Sequence, residues 1–291
     1  MRKIRSNDIW FDIINYILVS IIALIMIYPF WNSFIYSLSD PKTVIGKQLY
    51  FLPNSFSIES YVKVLQQKFL HTGYKNTIFV TVVGTVINLF MTILAAYPLS
   101  KRNLKFRAPI TFFIFFTMLF GGGLIPTYII VQRTGLIDSL WSLIVPNAMS
   151  AYNMFLMRNF FMSIPEEMEE SAKIDGARQL KILAYIILPI SMPILATLAL
   201  FYAVSHWNEF FKCIIYINDT RKWVIQAVLR RIIVQKQDYF DDLDSIKGAI
   251  DISNPAYRNA IIMVAVIPIV LVYPYLQKYF VKGVMVGSIK G

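Results

Sequence analysis

Charged residues in this chain gather into short clusters, and six long apolar windows lie between them. Nothing is charged between Asp12 and Asp40, between Lys75 and Lys101, or between Arg107 and Arg133. The same holds from Asp138 to Arg158, from Lys181 to Glu209 and from Arg258 to Lys278. Even the shortest window, at about 19 residues, runs about 28 Å as a helix against a hydrocarbon core of about 30 Å. The pattern predicts an all-α membrane protein with six transmembrane helices, near residues 12–38, 76–99, 109–131, 139–158, 183–208 and 259–278. No low-complexity tract, long linker or internal repeat divides it, so residues 1–291 read as a single transmembrane domain.

Composition agrees. The chain is 57% hydrophobic and 15% charged, whereas a soluble domain carries about a quarter charged residues and needs them to coat its surface. Four of the five tryptophans, Trp10, Trp31, Trp141 and Trp207, fall near window ends, the belt position at a membrane boundary. One cysteine, Cys213, and two histidines, His71 and His206, leave no intrachain disulfide and no metal cluster, so no metal or cofactor site is expected. The net charge of +11 is scattered through loops rather than along one helix face, which favours a membrane protein over a nucleic-acid binder.

The first window is read as a retained span. Its apolar part, Ile13 to Trp31, exceeds the ~7–15-residue core of a secretory signal, and no small-x-small cleavage site follows. Basic residues divide evenly between the two sides, but those of one side are diluted over the long loops near 40–75 and 209–257. The acid-free run KRNLKFR at 101–107 then places both termini in the cytoplasm. The loop at 212–257 contains a possible helix, WVIQAVLRRIIVQ, and an acidic patch of Asp238, Asp241, Asp242 and Asp244. It suits either a solvated cap or contact with an extracytoplasmic partner.

The windows hold no Asp, Glu, Lys, Arg or His at their centres, His206 lying near the end of the fifth. Proton-coupled carriers and ion pumps use ionisable groups at depth, so that class is disfavoured, and a neutral, hydroxyl-rich solute fits better. A membrane enzyme is disfavoured too, because no catalytic constellation appears. Uncharged polar residues do appear. Thr77, Thr81, Gly84, Thr85, Asn88, Thr92 and Ala96 form one small or polar stripe, readable as helix packing or as a solute path. In the fourth window Asn147, Tyr152 and Asn153 lie near Pro146, which frees backbone groups beside them. With Asn88, Trp207 and Asn208 they are the candidate path residues. Gly121, Gly122, Gly123 and Pro126 interrupt the third window, as a hinge or as a close contact.

Between the fourth and fifth windows runs SIPEEMEESAKIDGARQLKILAYIILPISMP, residues 163–193. Ser163 and Glu166 have capping-box spacing, Pro165 suits a first turn, and Glu166, Glu167 and Glu169 favour the positive end of a helix. Ile164, Met168 and Ala172 share a face, Glu169 can pair with Lys173, and Asp175-Gly176 supplies a stop. The pattern predicts a short amphipathic helix at about 163–176, exposed and built for docking.

Glu169-Glu170-Ser171-Ala172, then Gly176-Ala177 and Leu188-Pro189, resemble the EAA loop of type I ABC importer permeases, with the first alanine replaced. Trp207-Asn208-Glu209-Phe210, the run LMRNFF at 156–161 and the tail LQKYFVKGVMVGSIKG resemble the maltose "G"-like, carbohydrate-uptake branch. The likeness covers essentially the whole chain and is closest to lipoprotein-dependent oligosaccharide permeases of Gram-positive bacteria. It implies the type I ABC importer permease fold and a coupling helix, with Met168, Glu169, Ala172, Asp175, Gly176 and Ala177 as coupling residues. It also implies a second permease subunit, an ATPase dimer that binds ATP and Mg on the cytoplasmic side, and an extracytoplasmic solute-binding lipoprotein. The loop before the sixth span would enter the binding protein's sugar cleft, and the tail would reach toward the ATPase. No G-x-x-x-x-G-K-[ST] occurs, so this chain is not itself the P-loop ATPase. The expected function is oligosaccharide import by alternating access; import of another neutral solute and secondary transport are the rivals.

Overall fold

The computed structural model describes residues 6–44, 52–53, 55–234 and 254–288, with side chains placed from 10 to 271. The acidic patch at 238–244 and the side chains of the C-terminal tail lie outside this set. Two compact units are present, one formed by residues 1–70 and 231–268, the other by 71–230 and 269–291.

In the first unit, α1 (Ser6–Ser37) is long and apolar, and no residue of its most hydrophobic stretch is buried within the chain. Such all-round apolarity suits contact with lipid or with another protein. Its end is tied down by polar contacts: Ser37 Oγ and Tyr61 Oη lie 2.7 Å apart, Tyr61 belonging to α2 (Glu59–Leu65). Lys63 Nζ donates to Tyr257 Oη at 3.0 Å and pairs with Glu59 at 2.7 Å. Asn254 fixes the start of α13 (Pro255–Ser288), accepting from the Ala256 amide at 2.9 Å while its own amide donates to the Pro41 carbonyl.

The second unit is organised along α3 (Lys68–Ser100), unbroken over 33 residues. The third window folds as α4 (Arg107–Leu119) and α5 (Leu124–Arg133), bent by 114°. An added Cβ at Gly121 or Gly123 would meet nothing within 4 Å. Close packing within the described residues is therefore not what these glycines serve; Gly123 has φ +83°, where a side chain is strained.

The fourth window departs from a continuous helix. Two 3₁₀ turns, Leu140–Leu143 and Val145–Asn147, precede α6 (Ala151–Ser163). Pro146 has no amide to donate, and Ser139 and Ser150 cap the Trp141 and Asn153 amides, so local polar contacts compete with helix here. The fifth window is also broken: Gln179–Ile190 and Met192–Trp207 (α10) meet at 83°. The first of these consists of α8 (Gln179–Ile182), a π turn at Leu183–Ile187 and α9 (Leu188–Ile190). Pro189 and Pro193 flank the bend and each removes an i→i−4 bond. Between the fourth and fifth windows lies α7 (Glu167–Ile174).

Among the described residues, two cores hold this unit. One joins Ala96 and Tyr97 of α3 to Met154, Met157 and Phe161 of α6, and to Ala172, Ile182 and Leu198. The other joins Val80 and Val131 to Leu143, Ile144, Cys213 and Tyr216, the last two on α11 (Phe211–Tyr216). The possible outer helix is present as α12 (Ile225–Val234). Beside it, Lys222 Nζ reaches Asp138 Oδ2 at 2.8 Å and Arg221 grips Asp219. The ammonium of Lys222 holds the Asp138 carboxyl below the usual carboxylate range, and Arg221 does the same for Asp219.

Gly84 shows how tightly α3 and α10 approach: a Cβ there would lie 2.5 Å from His206 Nε2 and 2.8 Å from Cε1. Gly84→Ala is expected to destabilise the purified chain by about 1–3 kcal/mol through overpacking. In a His206→Ala background most of that loss should vanish. Melting temperatures of the single and double variants in detergent check this; equal losses in both backgrounds would place the strain elsewhere.

Candidate functional site

The segment expected to dock begins later than the capping-box spacing suggested. Pro165 holds Ile164 extended (φ −75°, ψ 131°), so Ser163 ends α6 and its hydroxyl donates to the Phe160 carbonyl at 2.7 Å. Glu166 then stands at the N-cap of α7 without a side-chain cap bond. The far end follows the expected stop. Gly176 has φ +78°, its amide donates to the Lys173 carbonyl at 3.0 Å, and the Ala177 amide donates to the Ala172 carbonyl at 2.9 Å. These two bonds make a Schellman motif, and Gly176 supplies its left-handed residue.

The faces of α7 divide the candidate coupling residues. Met168, Ile174, Asp175 and Gly176 are exposed, Ile174 at 87%. Ile164 and Ala172 are buried against Tyr97, Phe161 and Ile182 of the chain's own core, and Ala177 is half-buried there. Glu169 does not pair with Lys173. It is buried, and its carboxylate meets Lys101 Nζ from the loop after α3. That ammonium also lies over the Tyr97 ring, 4.4 Å from its centroid, and Tyr97 Oη donates to Gln179 Oε1 at 3.0 Å. The carboxylate and cation–π contacts thus fasten α7 to the end of α3.

About 20 Å along α3, at 1.5 Å per residue, a polar cluster faces α10. Asn88 Nδ2 donates to the Asn147 carbonyl at 2.6 Å, and Asn88 Oδ1 lies 2.6 Å from His206 Nε2. With the Asn88 amide hydrogens used on Asn147, its oxygen must accept, so Nε2 carries the imidazole proton. One turn further on, Thr92 Oγ1 and Tyr202 Oη lie 2.7 Å apart, and Tyr202 Oη accepts from the Ser150 amide at 3.2 Å. Two i,i+4 pairs, Asn88/Thr92 and Tyr202/His206, therefore meet across the helices. Between them they take two backbone groups of the broken fourth segment.

Beside this clasp lies a cavity of about 270 Å³ lined by Asn88, Asn147, Ser150, Tyr202, Ser205, His206, Glu209 and Lys212. Glu209 and Lys212 pair at 2.8 Å, so the lining offers hydroxyls, amides and a matched ion pair rather than a lone charge. Asn88 and Asn147 are the sequence candidates that reach it. Tyr152 is exposed, Asn153 is buried in α6, Trp207 is half-buried, and Asn208 turns its amide onto the Val204 carbonyl at 3.0 Å. Tyr202, Ser205 and Lys212 were not singled out from sequence. The four-residue spacing of Tyr202 and His206, echoing Asn88 and Thr92, was the available signal.

Residues 73–286 match the family described as "Binding-protein-dependent transport system inner membrane component". The chain belongs to this family. It is 41% identical over 281 residues to the "Polygalacturonan/rhamnogalacturonan transport system permease protein YtcP" of Bacillus subtilis, covering 97% of this chain and 98% of that one. "Protein LplC" of the same organism is 39% identical, over 97% and 95%. A solved structure, "Crystal structure of a bacterial ABC transporter involved in the import of the acidic polysaccharide alginate", superposes with a TM-score of 0.87 at 34% identity, covering 96% of this chain and all of that one. The carbohydrate ABC permease resemblance read from the EAA-like loop is thus supported across the whole chain, as are the type I ABC permease fold and a place in the membrane. A member of this family is a transport subunit.

The Lys101–Glu169 contact yields a prediction specific to this permease. Lys101→Met strands a buried carboxylate and should cost about 1–3 kcal/mol. Adding Glu169→Leu should recover part of the loss. Thermal unfolding of the single and double variants reads the coupling; strictly additive losses would mean that the two groups do not meet.

Proposed function

We propose that the chain is one of two permease subunits of a binding-protein-dependent ABC importer of oligosaccharides, working by alternating access. The carrying observation is α7, a short, Schellman-stopped helix with exposed Met168 and Ile174, held to α3 from beneath by Glu169. A separate cytoplasmic ATPase dimer, which binds ATP and Mg, would grip its exposed face and drive the spans through it. This chain would then need no cofactor of its own. The other partners are a second permease subunit, in a heterodimer, and an extracytoplasmic solute-binding lipoprotein. The acid-free run at 101–107 supports cytoplasmic N- and C-termini, and the Bacillus relatives support a Gram-positive cell membrane.

The solute class is supported by the cargo named for YtcP and for the solved alginate transporter, both carbohydrate polymers. It is also supported by the clasp cavity, whose hydroxyls and amides suit sugar hydroxyls. Asn147, Ser150, Tyr202 and Ser205 are the residues placed to meet a passing sugar. Import of another neutral solute would use the same machinery with a different cavity contact.

Ile174→Asp is chosen as the test because Ile174 makes no core contact that its loss would disrupt, whereas Ala172→Asp would bury a charge in the chain's own core. Ile174→Asp and Gly176→Val should both lose the co-purifying ATPase and at least about tenfold in oligosaccharide uptake. Gly176→Asn, tolerated at positive φ, should retain most of both. Normal co-purification and uptake by Ile174→Asp and Gly176→Val would make the loop an ordinary connection and remove the main support for this reading.

A further inference from the structure

At the Lys101 end of α3, two arginines converge on one oxygen. Arg107 Nε, from the first residue of α4, donates to the Leu99 carbonyl at 3.0 Å, and Arg158 Nε, from α6, donates to the same carbonyl at 2.9 Å. Neither guanidinium has an acidic partner among the described residues. Among the described residues Arg107 Nη2 reaches only Met162 Sδ, a weak acceptor, at 3.3 Å. Two cations set side by side at a membrane boundary repel each other, and an anion between them removes that penalty.

The groove that these arginines head has a volume of about 920 Å³ and runs between α4 and α6. Below the guanidiniums its wall is apolar: Phe115, Met118 and Phe155 line it, Phe115 and Met118 both more than two-fifths exposed. Thr111, one turn in from Arg107, also lines it and has a buried hydroxyl without a partner among the described residues. Thr117 and Thr127, by contrast, bond carbonyls of their own helices at 2.7 Å. From Arg107 to Met118 is about 16 Å of helix, close to half the ~30 Å hydrocarbon thickness. Cation and apolar wall follow one another in the order phosphate and acyl chain.

We propose that this groove binds one anionic phospholipid, its phosphate between Arg107 and Arg158 and an acyl chain along Phe115, Met118 and Phe155. Basic pockets between membrane helices take such headgroups, and the continuous apolar wall selects lipid over free phosphate. The site depends on the membrane placement of the family and not on the identity of the imported solute.

The experiment uses the whole transporter complex, reconstituted in phosphatidylcholine with phosphatidylglycerol at roughly a quarter of the lipid, and native mass spectrometry of lipids retained after release. The wild-type complex should retain one phosphatidylglycerol in preference to phosphatidylcholine. Arg107→Gln should lower that retention about fivefold. Because Arg107 also braces Leu99, Ala108→Trp supplies an independent arm: exposed Ala108 lines the groove next to Arg107, so the indole obstructs its headgroup end and should abolish retention with the melting temperature in phosphatidylcholine unchanged. Equal retention by all three proteins, or no preference for phosphatidylglycerol, overturns the proposal. Displacement of the lipid by millimolar inorganic phosphate overturns it in favour of a free-anion site. Retention seen with the permease alone and lost in the complex overturns it in favour of a covering partner helix.

Discussion

Within a bilayer no water is available to hydrogen-bond a freed amide or carbonyl, so a break in a spanning segment must be repaired by protein. That constraint governs the second unit. The fourth segment is built of 3₁₀ turns through Asn147 and becomes α-helical only at Ala151. Asn88 takes the Asn147 carbonyl, and Tyr202 takes the Ser150 amide. His206 orients Asn88, and Thr92 orients Tyr202. Gly84 follows from the same arrangement, since only the absence of a Cβ lets the imidazole lie flat against α3 at that level. The cavity lies beside the clasp, where side chains of α3 and α10 meet the irregular backbone.

The helix that carries half of the clasp also ends at α7. From Asn88 to Lys101, α3 and its final turn cover about 20 Å with no break. Two ion pairs join the region around Lys101 to α7, and their environments rank them. Arg102 and Glu166 are 3.6 Å apart with side chains 79% and 70% exposed, a geometry worth about 0–1 kcal/mol. Glu169 is buried beneath α7, where losing its partner leaves an uncompensated charge. The second pair is therefore the one that sets the position of α7. A displacement of α7 has a rigid route to the clasp, one continuous helix with two discrete attachments.

Much of this was legible in the sequence, for reasons visible in particular residues. Among the described residues the first and second windows are single helices long and apolar enough to cross a membrane, and the third and fifth are bent pairs that reach that length only together; Asp175-Gly176 marks a left-handed stop that only a few residues tolerate. The glycines at 121–123 and the prolines at 146, 189 and 193 announce interruptions, but not their angles. A 114° and an 83° bend depend on which neighbours accept the two halves, which is a tertiary property. Ser163 and Glu166 misled because capping-box spacing ignores the intervening Pro165, which forces Ile164 extended and shifts the start of α7. Glu169 was assigned to Lys173 by helical spacing, yet burial beneath α7 brought it to Lys101, 68 positions away. The clasp was half legible: the Asn88/Thr92 and Tyr202/His206 spacings are in the sequence, but pairing them requires knowing that α3 and α10 are neighbours.

The central claim is that side chains of α3 and α10 stand in for the missing helical bonds at 147–150, and the Ser150 amide reports on it directly. Hydrogen–deuterium exchange at that amide, in the reconstituted wild-type protein and in Tyr202→Phe, isolates one bond while keeping the ring. Loss of a bond with a net worth of about 1 kcal/mol should speed exchange at Ser150 about five- to tenfold, leaving the middle of α3 unchanged. Unaltered protection at Ser150 in Tyr202→Phe would contradict the account.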